Sequence, residues 1–196
     1  MTVYPTSRAW QRIEPPGTEL ALFREHGGLT AEGVAVVGGA TPYTVRYSLA
    51  TDELWRTRRL DVDVTGVGWR RTARLEHAAG RWRVATGEEG RLDGSLPGIE
   101  DADRLEEAVD VDLGLCPLTN TLPIRRLDLL SAQVGTKHKL TMAFVRVPTL
   151  EIYPHEQTYT VLGAGRIGYT SLGFTAELAI DDHGYVTHYP GLANQI

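Results

Sequence analysis

Apolar and polar side chains alternate with a period of two along much of the chain, which is typical of half-buried β-strands. In PYTVRYSLA, one predicted face carries Tyr43, Val45, Tyr47 and Leu49, and FTAELAID repeats the pattern from Phe174 onward. Short turn signals such as ATDE, AAG, GAG and DDHG separate these segments from other candidate strands. The spacing predicts an antiparallel meander.

Helical periodicity is sparse. The best candidate is LTNTLPIRRLDLL, in which Thr119 or Asn120 is suited to cap a helix that starts near Pro123. Its predicted inward side chains are Leu122, Ile124, Leu127 and Leu130. The segment GIEDADRLEEAV is interpreted as an acidic surface loop with one helical turn. We therefore predict one mainly-β domain over residues 1–196, with a single antiparallel sheet that must curl or close to hide its edges.

The charge and composition of the chain limit the kinds of molecule that it is expected to bind. The chain has 20 basic and 25 acidic residues and a net charge of -5, which disfavours binding to nucleic acid or to an anionic membrane surface. Runs of arginine such as WRTRR and IRR still permit a local anion-binding patch. The sequence has no apolar run of membrane-spanning length and no secretory signal pattern, so we expect a cytoplasmic protein without a membrane span.

Several motifs point to no particular chemistry. GAGRIG at 163–168 matches a dinucleotide-binding pattern, but strand alternation follows it where a helix is required, so a glycine hairpin turn is predicted. The six histidines are scattered, and His183 and His188 flank a predicted hairpin tip. The single cysteine, Cys116, is predicted to be buried and unreactive. We expect no metal site and no cofactor.

Two carboxylates in VDVDL are the strongest catalytic candidates. On a strand, Asp110 and Asp112 project from one face about 7 Å apart, a separation that suits a hydrolytic acid and base. Asp61 and Asp63 repeat the pattern in RLDVDV, however, and a polar strand face explains both pairs without a reaction. The structural interpretation is favoured.

The segment ELWRTRRLDVDV places arginines in an unusual position. Strict alternation puts Arg56 and Arg58 on the same face as Leu60, Val62 and Val64. A buried guanidinium requires a carboxylate, water or an anionic ligand. We expect internal pairing with an acid, for which Asp110, Asp112 and Glu151 are available, and a polar-lined pocket is the alternative.

The order of motifs resembles a known family. The motifs follow the order seen in the bacterial putative glycolipid-binding family. They are WRTRR at 55–59, DVDL at 110–113, PLTNTLPIRRL at 117–127, a looser Y-x-x-x-P-x-x-Q-x-Y pattern over 144–159, and YPGL at 189–192. The resemblance covers about residues 40–196. This chain departs from the family in a longer acidic stretch before DVDL and in Phe144, where a tyrosine is common.

The resemblance implies a strongly curved antiparallel sheet, a spiral β-roll or open half-barrel similar in shape to periplasmic lipid carriers. It also implies a non-enzymatic protein that binds a small amphipathic ligand, a glycolipid or an acyl chain, in a cavity of the roll. Our candidate head-group contacts are Arg56, Arg58, Asn120, Arg125 and Arg126, with Trp55 and Tyr43 as stacking walls. Two alternatives stay open: a hydrolase or lyase that uses Asp110 and Asp112, and a structural or interaction protein without a ligand.

The segment DVDLGLCPLTNTLPIRRL is predicted to be a structural corner. Gly114 and Pro117 favour a turn, and the hydroxyl and amide side chains at 119–121 are suited to bind free backbone groups. Arg125 and Arg126 supply charge for nearby acids.

Overall fold

One sheet of 14 strands dominates the computed structural model, which describes residues 5–196. The strands are β1 (Ser7–Arg12), β2 (Gly17–Glu25), β3 (Leu29–Val37), β4 (Tyr43–Thr51), β5 (Thr57–Gly66), β6 (Trp69–Ala78), β7 (Arg81–Gly90), β8 (Asp110–Leu113), β9 (Lys137–Val145), β10 (Ile152–Gly163), β11 (Arg166–Ser171), β12 (Phe174–Ile180), β13 (Val186–Tyr189) and β14 (Ala193–Gln195). A short helix, α1 (Thr121–Arg126), and 3-10 turns at Ala102–Leu105 and Pro117–Asn120 complete the described elements. The predicted mainly-β fold, an unclosed sheet with little helix, is confirmed.

Two meanders meet in the middle of the sheet. The spatial order runs from β7 back to β1, then from β14 back to β8, so β1 pairs with β14 and the sheet ends at β7 and β8. Neighbouring strands are antiparallel except for β8 and β9, which pair in parallel. The parallel pair needs a crossover connection, and α1 lies within it. The backbone N–H of Val111 in the end strand β8 donates to Thr57 Oγ1 at 3.1 Å.

The alternation predicted from the sequence is present in most strands. Tyr43, Val45, Tyr47 and Leu49 of β4 are buried while their neighbours face outward, as expected. In β12 the alternation also holds, except that Phe174 at its start is 47% exposed. The GAGRIG segment is a hairpin turn between β10 and β11, as predicted.

Strand β2 has the opposite orientation to what its aliphatic residues suggest. Ala21 and Phe23 face the core together with Glu19, whereas Leu20 and Leu22 face outward and are 46% and 55% exposed. Val34 lies directly opposite Leu20 on β3 and is also on the outward face. One face of the first strands therefore carries aliphatic side chains in contact with solvent.

The corner after β8 forms as a tight turn followed by helix. Leu115 adopts a positive φ of 67°, and the chain then passes through the 3-10 turn at 117–120 into α1. Asn120 precedes α1, but its side chain caps no backbone group. Leu122 and Ile124 are fully buried as predicted, whereas Leu130 is 41% exposed because the helix ends at Arg126. Within residues 5–196, no helix is long and apolar enough to cross a bilayer.

Candidate functional site

The prediction that Arg56 and Arg58 lie on an apolar strand face is wrong. Strand β5 begins only at Thr57, and its register against β4 shifts at a bulge in which Arg58 is the extra residue. A bulge residue breaks the two-residue alternation, so Thr57 is buried instead. The side chains of Arg56 and Arg58 are 49% and 58% exposed and lie 3.7 and 3.9 Å from the Asp52 carboxylate. Neither requires a buried acid.

Four predicted site residues meet in one surface cleft. Trp55, Arg56, Arg125 and Arg126 line a space of about 500 Å³, which we call the arginine cleft. The Arg125 guanidinium lies 4.2 Å from the centroid of the Trp55 ring and bonds the Glu25 carboxylate at 3.0 Å. Arg126 forms an ion pair with Asp110 at 2.8 Å. The protein itself therefore compensates the charge of both arginines.

The other three predicted site residues lie elsewhere. Tyr43 is 7% exposed and packs in the apolar core, near Arg12 rather than in the arginine cleft. Arg58 does not line the cleft either. Asn120 is buried on the inner face of the second meander, where its side-chain oxygen accepts a hydrogen bond from Tyr159 Oη at 3.1 Å. The seven residues thus do not form one site.

Asp110 and Asp112 occupy different electrostatic environments on the same strand. Asp110 is fully buried and paired with Arg126; burial raises the pKa of its carboxyl, and Arg126 opposes that rise. Asp112 is 8% exposed and accepts hydrogen bonds from Gln157 Nε2 at 2.5 Å and Thr119 Oγ1 at 3.0 Å. Burial raises the pKa of Asp112, and these hydrogen bonds oppose the rise.

Of the two acids, Asp112 lines a pocket of about 240 Å³. We call it the tyrosine pocket and define it by six lining residues: Asp112, Asn120, Phe144, Tyr169, Phe174 and Tyr189. Asp110 does not line it, so the two carboxylates do not face one common space, as an acid and base acting on one substrate would. Beside the pocket, Ser171 Oγ lies 2.9 Å from His155 Nε2.

A larger groove crosses the outward face of the first meander. It has a volume of about 750 Å³, and we call it the open-face groove. The side chains that define it come from five neighbouring strands, β2 to β6: Leu20, Leu22, Glu32, Val34, Arg46, Ser48, Asp61, Asp63, Thr72 and Arg74. On β7 the lining residues Ala85 and Thr86 are small, which leaves that end of the groove wide.

The strand register orders these side chains into rows. One row runs from Leu20 to Val34, Arg46, Asp63 and Thr72, each directly opposite the next. The groove therefore changes from aliphatic on β2 and β3 to charged and hydroxylated on β4 to β6.

The polar half of the groove is internally neutralised. Asp61 bonds Arg74 at 2.7 Å, and Asp63 pairs with Arg70 at the edge of the groove. The Arg70 hydrogen bonds hold the pKa of Asp63 below its usual value. Guanidinium donors and carboxylate acceptors are thus interleaved on one surface.

A comparison with known protein families shows the family to which this chain belongs. The model of the family described as "Putative glycolipid-binding" matches residues 7–195. The chain belongs to this family. Its membership confirms the resemblance inferred from the motifs, and the family description suggests glycolipid binding.

A solved structure has the same architecture as this chain. The crystal structure of a DUF1089 family protein from Pseudomonas aeruginosa superposes with a TM-score of 0.73 at 26% sequence identity, covering 91% of this chain and 92% of that one. The curated proteins contain no match to the sequence. The fold of this chain is thus similar to that of the solved structure over nearly the whole of both chains.

Sequence reasoning missed two features of this family member. The open-face groove was missed because alternation alone does not say which face of β2 is inside. The link between Asp112 and Gln157 joins residues 45 positions apart in the chain. The Q-x-Y part of the family motif contains Gln157 and Tyr159. It was the only sequence signal that these two residues belong to the same site as Asp112. No group of three or more His, Cys, Asp or Glu residues suited to a metal ion occurs among residues 5–196.

Proposed function

We propose that this protein binds an amphipathic ligand in the open-face groove. The aliphatic part of the ligand lies over Leu20, Leu22 and Val34, and its polar head lies toward Asp61 and Arg74. The observation that carries the proposal is the single groove of about 750 Å³ whose lining changes from aliphatic to polar along one row of paired strands.

The aliphatic half supports binding of a hydrocarbon chain. Leu20, Leu22 and Val34 are 46%, 55% and 38% exposed, although they sit side by side on neighbouring strands. Covering them removes apolar surface from water, which is favourable by about 25 cal/mol per Å². The groove volume lies within the range of about 300–1,000 Å³ typical of small-molecule sites. A chain of modest length fits this half.

The polar half supports an uncharged, hydroxylated head group. Because Asp61 and Asp63 already neutralise nearby arginines, the surface offers no excess positive charge to an anion. It does offer donors and acceptors close together, to which Ser48 and Thr72 add hydroxyl groups. A sugar hydroxyl both donates and accepts hydrogen bonds, so it matches this lining. The family description, glycolipid binding, agrees with this chemistry.

Calorimetric titration with an alkyl glucoside below its micelle concentration tests the proposal. Val34→Glu places a charge in the aliphatic half, and we expect it to weaken binding at least tenfold. Val36→Glu is the matched control, because Val36 is 59% exposed on the outward face of the same strand but does not line the groove. We expect its affinity to stay near that of the wild type.

A second variant tests the wide end of the groove. Ala85→Trp fills the space beside Thr86, and we expect it to weaken binding of the alkyl glucoside more than binding of the corresponding alkyl alcohol. The proposal is wrong if the wild type shows no saturable binding, or if Val34→Glu and Val36→Glu have equal effects while both remain folded.

A further inference from the structure

The tyrosine pocket contains a buried acid without a positive partner. The Asp112 carboxylate is bonded by the amide of Gln157 and the hydroxyl of Thr119, both of which are neutral. Among the ion pairs of residues 5–196, none includes Asp112. The pocket lining has no lysine or arginine. A buried carboxylate in such surroundings disfavours an anion and attracts a cation.

Three aromatic rings line the pocket together with this carboxylate. The centroids of Tyr169, Phe174 and Tyr189 are 6.2, 5.9 and 6.3 Å apart, a nearly equilateral triangle. A positive group within about 6 Å of one centroid, above the middle of that triangle, is therefore equally close to the other two. The negative face of an aromatic ring attracts ammonium groups.

We propose that the tyrosine pocket binds a compact alkylammonium group, that is, a methylated or primary amine in its charged form. The ammonium contacts the ring faces of Tyr169, Phe174 and Tyr189, and the Asp112 carboxylate balances its charge. The volume of about 240 Å³ is below that of typical drug-sized sites, which limits the ligand to a small cation or to the end of a longer one. This site is separate from the open-face groove and does not depend on a lipid.

The tyrosine pocket is open to a ligand that arrives from solvent. Phe174 is 47% exposed, and Gly191 of the lining loop is also exposed, whereas Asp112 lies at the buried end. An ammonium that enters past Phe174 thus meets the rings first and the carboxylate last. Desolvation by the ring cluster strengthens its attraction to Asp112.

Titration with tetramethylammonium chloride tests the proposal. The full-length protein is titrated at constant ionic strength maintained with sodium chloride, with the tyrosine NMR signals as the readout. We expect saturable shifts of Tyr169 and Tyr189. Asp112→Asn keeps the shape and removes the charge, and Phe174→Leu removes one ring at a partly exposed position. We expect each to weaken binding at least tenfold, whereas Phe174→Tyr, which retains a ring, weakens it less than Phe174→Leu.

Methyl glucoside serves as the competing ligand class. If it shifts the same tyrosine signals at lower concentration than tetramethylammonium, the pocket recognises a neutral sugar and the proposal is overturned. It is also overturned if Asp112→Asn and Phe174→Leu, both folded by thermal unfolding, bind tetramethylammonium as tightly as the wild type, or if the wild type shows no saturable shift.

Discussion

Two buried carboxylates in different halves of the sheet have opposite surroundings. Glu19 on β2 is fully buried and forms an ion pair with Arg12 at 2.8 Å. Its other oxygen accepts hydrogen bonds from Tyr47 Oη and Cys116 Sγ, each at 2.9 Å. Asp112 on β8 is nearly as buried but has only neutral donors, Gln157 and Thr119.

This difference separates an acid whose charge the protein itself balances from an acid whose charge a ligand can balance. The charge of Glu19 is balanced inside the protein, and every contact it makes joins core elements. The charge of Asp112 has no such balance, and the carboxylate lines a pocket. Burial raises the free energy of an ionised group unless a partner compensates it. A buried acid that lacks a protein cation and faces a space is therefore the better candidate for function.

Loss of the Glu19 partner should have the largest effect. In Arg12→Ala, the Glu19 carboxylate stays buried without a cation, and we expect a loss of about 3–5 kcal/mol in the free energy of unfolding. Chemical denaturation measures it. The double variant Arg12→Ala/Glu19→Gln removes the uncompensated charge and should be more stable than Arg12→Ala. A double variant no more stable than the single one would show that lost packing, not charge, causes the effect.

A smaller but still clear effect is expected at Gly33. A Cβ atom there would lie 2.0 Å from the ring of Tyr47, whose hydroxyl bonds Glu19. Gly33→Ala should therefore displace Tyr47 from its hydrogen bond with Glu19 and cost about 1–3 kcal/mol of stability. Thermal unfolding of Gly168→Ala gives the matched control, since a Cβ there meets its nearest atom at 3.5 Å, an ordinary contact. Equal losses in both variants would contradict the steric explanation.

At Asp112, removal of the charge is expected to increase the stability of the fold rather than to reduce it. Its pKa is raised above the usual value of 3.8 in the folded state, so its contribution to stability is fully present below about pH 3.8 and is lost as the pH rises through the folded pKa. Asp112→Asn has no such loss. The melting temperature of Asp112→Asn relative to the wild type should therefore increase from pH 3 to pH 7.

The asparagine can satisfy the local hydrogen bonds. Its oxygen accepts a hydrogen bond from Gln157. Its nitrogen can donate to Thr119 Oγ1, and in the variant the Thr119 hydroxyl then donates its proton to the Cys116 carbonyl 2.9 Å away. Other titratable groups facing Asp112 are His155, Tyr159, Tyr169 and Tyr189. Burial lowers the pKa of His155 and raises those of the tyrosines. Repeating the comparison in a His155→Gln background removes the coupling to the imidazole; a melting difference that stays flat with pH there would disprove the assignment to Asp112.

The smallest effect is expected at an exposed charge. Arg46 lies on the outward face of β4, and its alanine variant leaves no buried group unpaired. We expect Arg46→Ala to change the free energy of unfolding by no more than about 0.5 kcal/mol. A larger loss, measured by denaturant titration, would show that outward charges of the groove also hold the fold together, which would weaken the contrast with Glu19.

Much of the fold was accessible from the sequence because its strands bury one face each. The alternation in β4 and β12 identified their inward residues, and the glycines at 163 and 165 marked a hairpin rather than a nucleotide site. The pairing of Arg126 with Asp110 follows the expectation that the corner arginines serve nearby acids. The buried state of Cys116 was predicted as well.

Other features depend on register, which local patterns do not specify. A single bulge residue, Arg58, moved two predicted site arginines to the surface. In β2, Leu20 and Leu22 face outward while Glu19 faces inward, because the Arg12 ion pair and the Tyr47 and Cys116 hydrogen bonds make its burial possible. Those partners come from three separate segments of the chain. For this reason neither the burial of Glu19 nor the open-face groove was predicted.

The pairing of β1 with β14 has a consequence for the folding pathway. Within each meander, nearly every strand pairs with its neighbour in sequence, so those contacts close short loops and form early. The β1–β14 ladder joins residues at opposite ends of the chain, as do the hydrogen bonds from Trp10 to Val186 and from Tyr185 to Glu25. Contacts of this kind incur the largest loss of chain entropy before they become favourable. We therefore expect the two meanders to become ordered first and their association to limit the rate at which the native sheet appears.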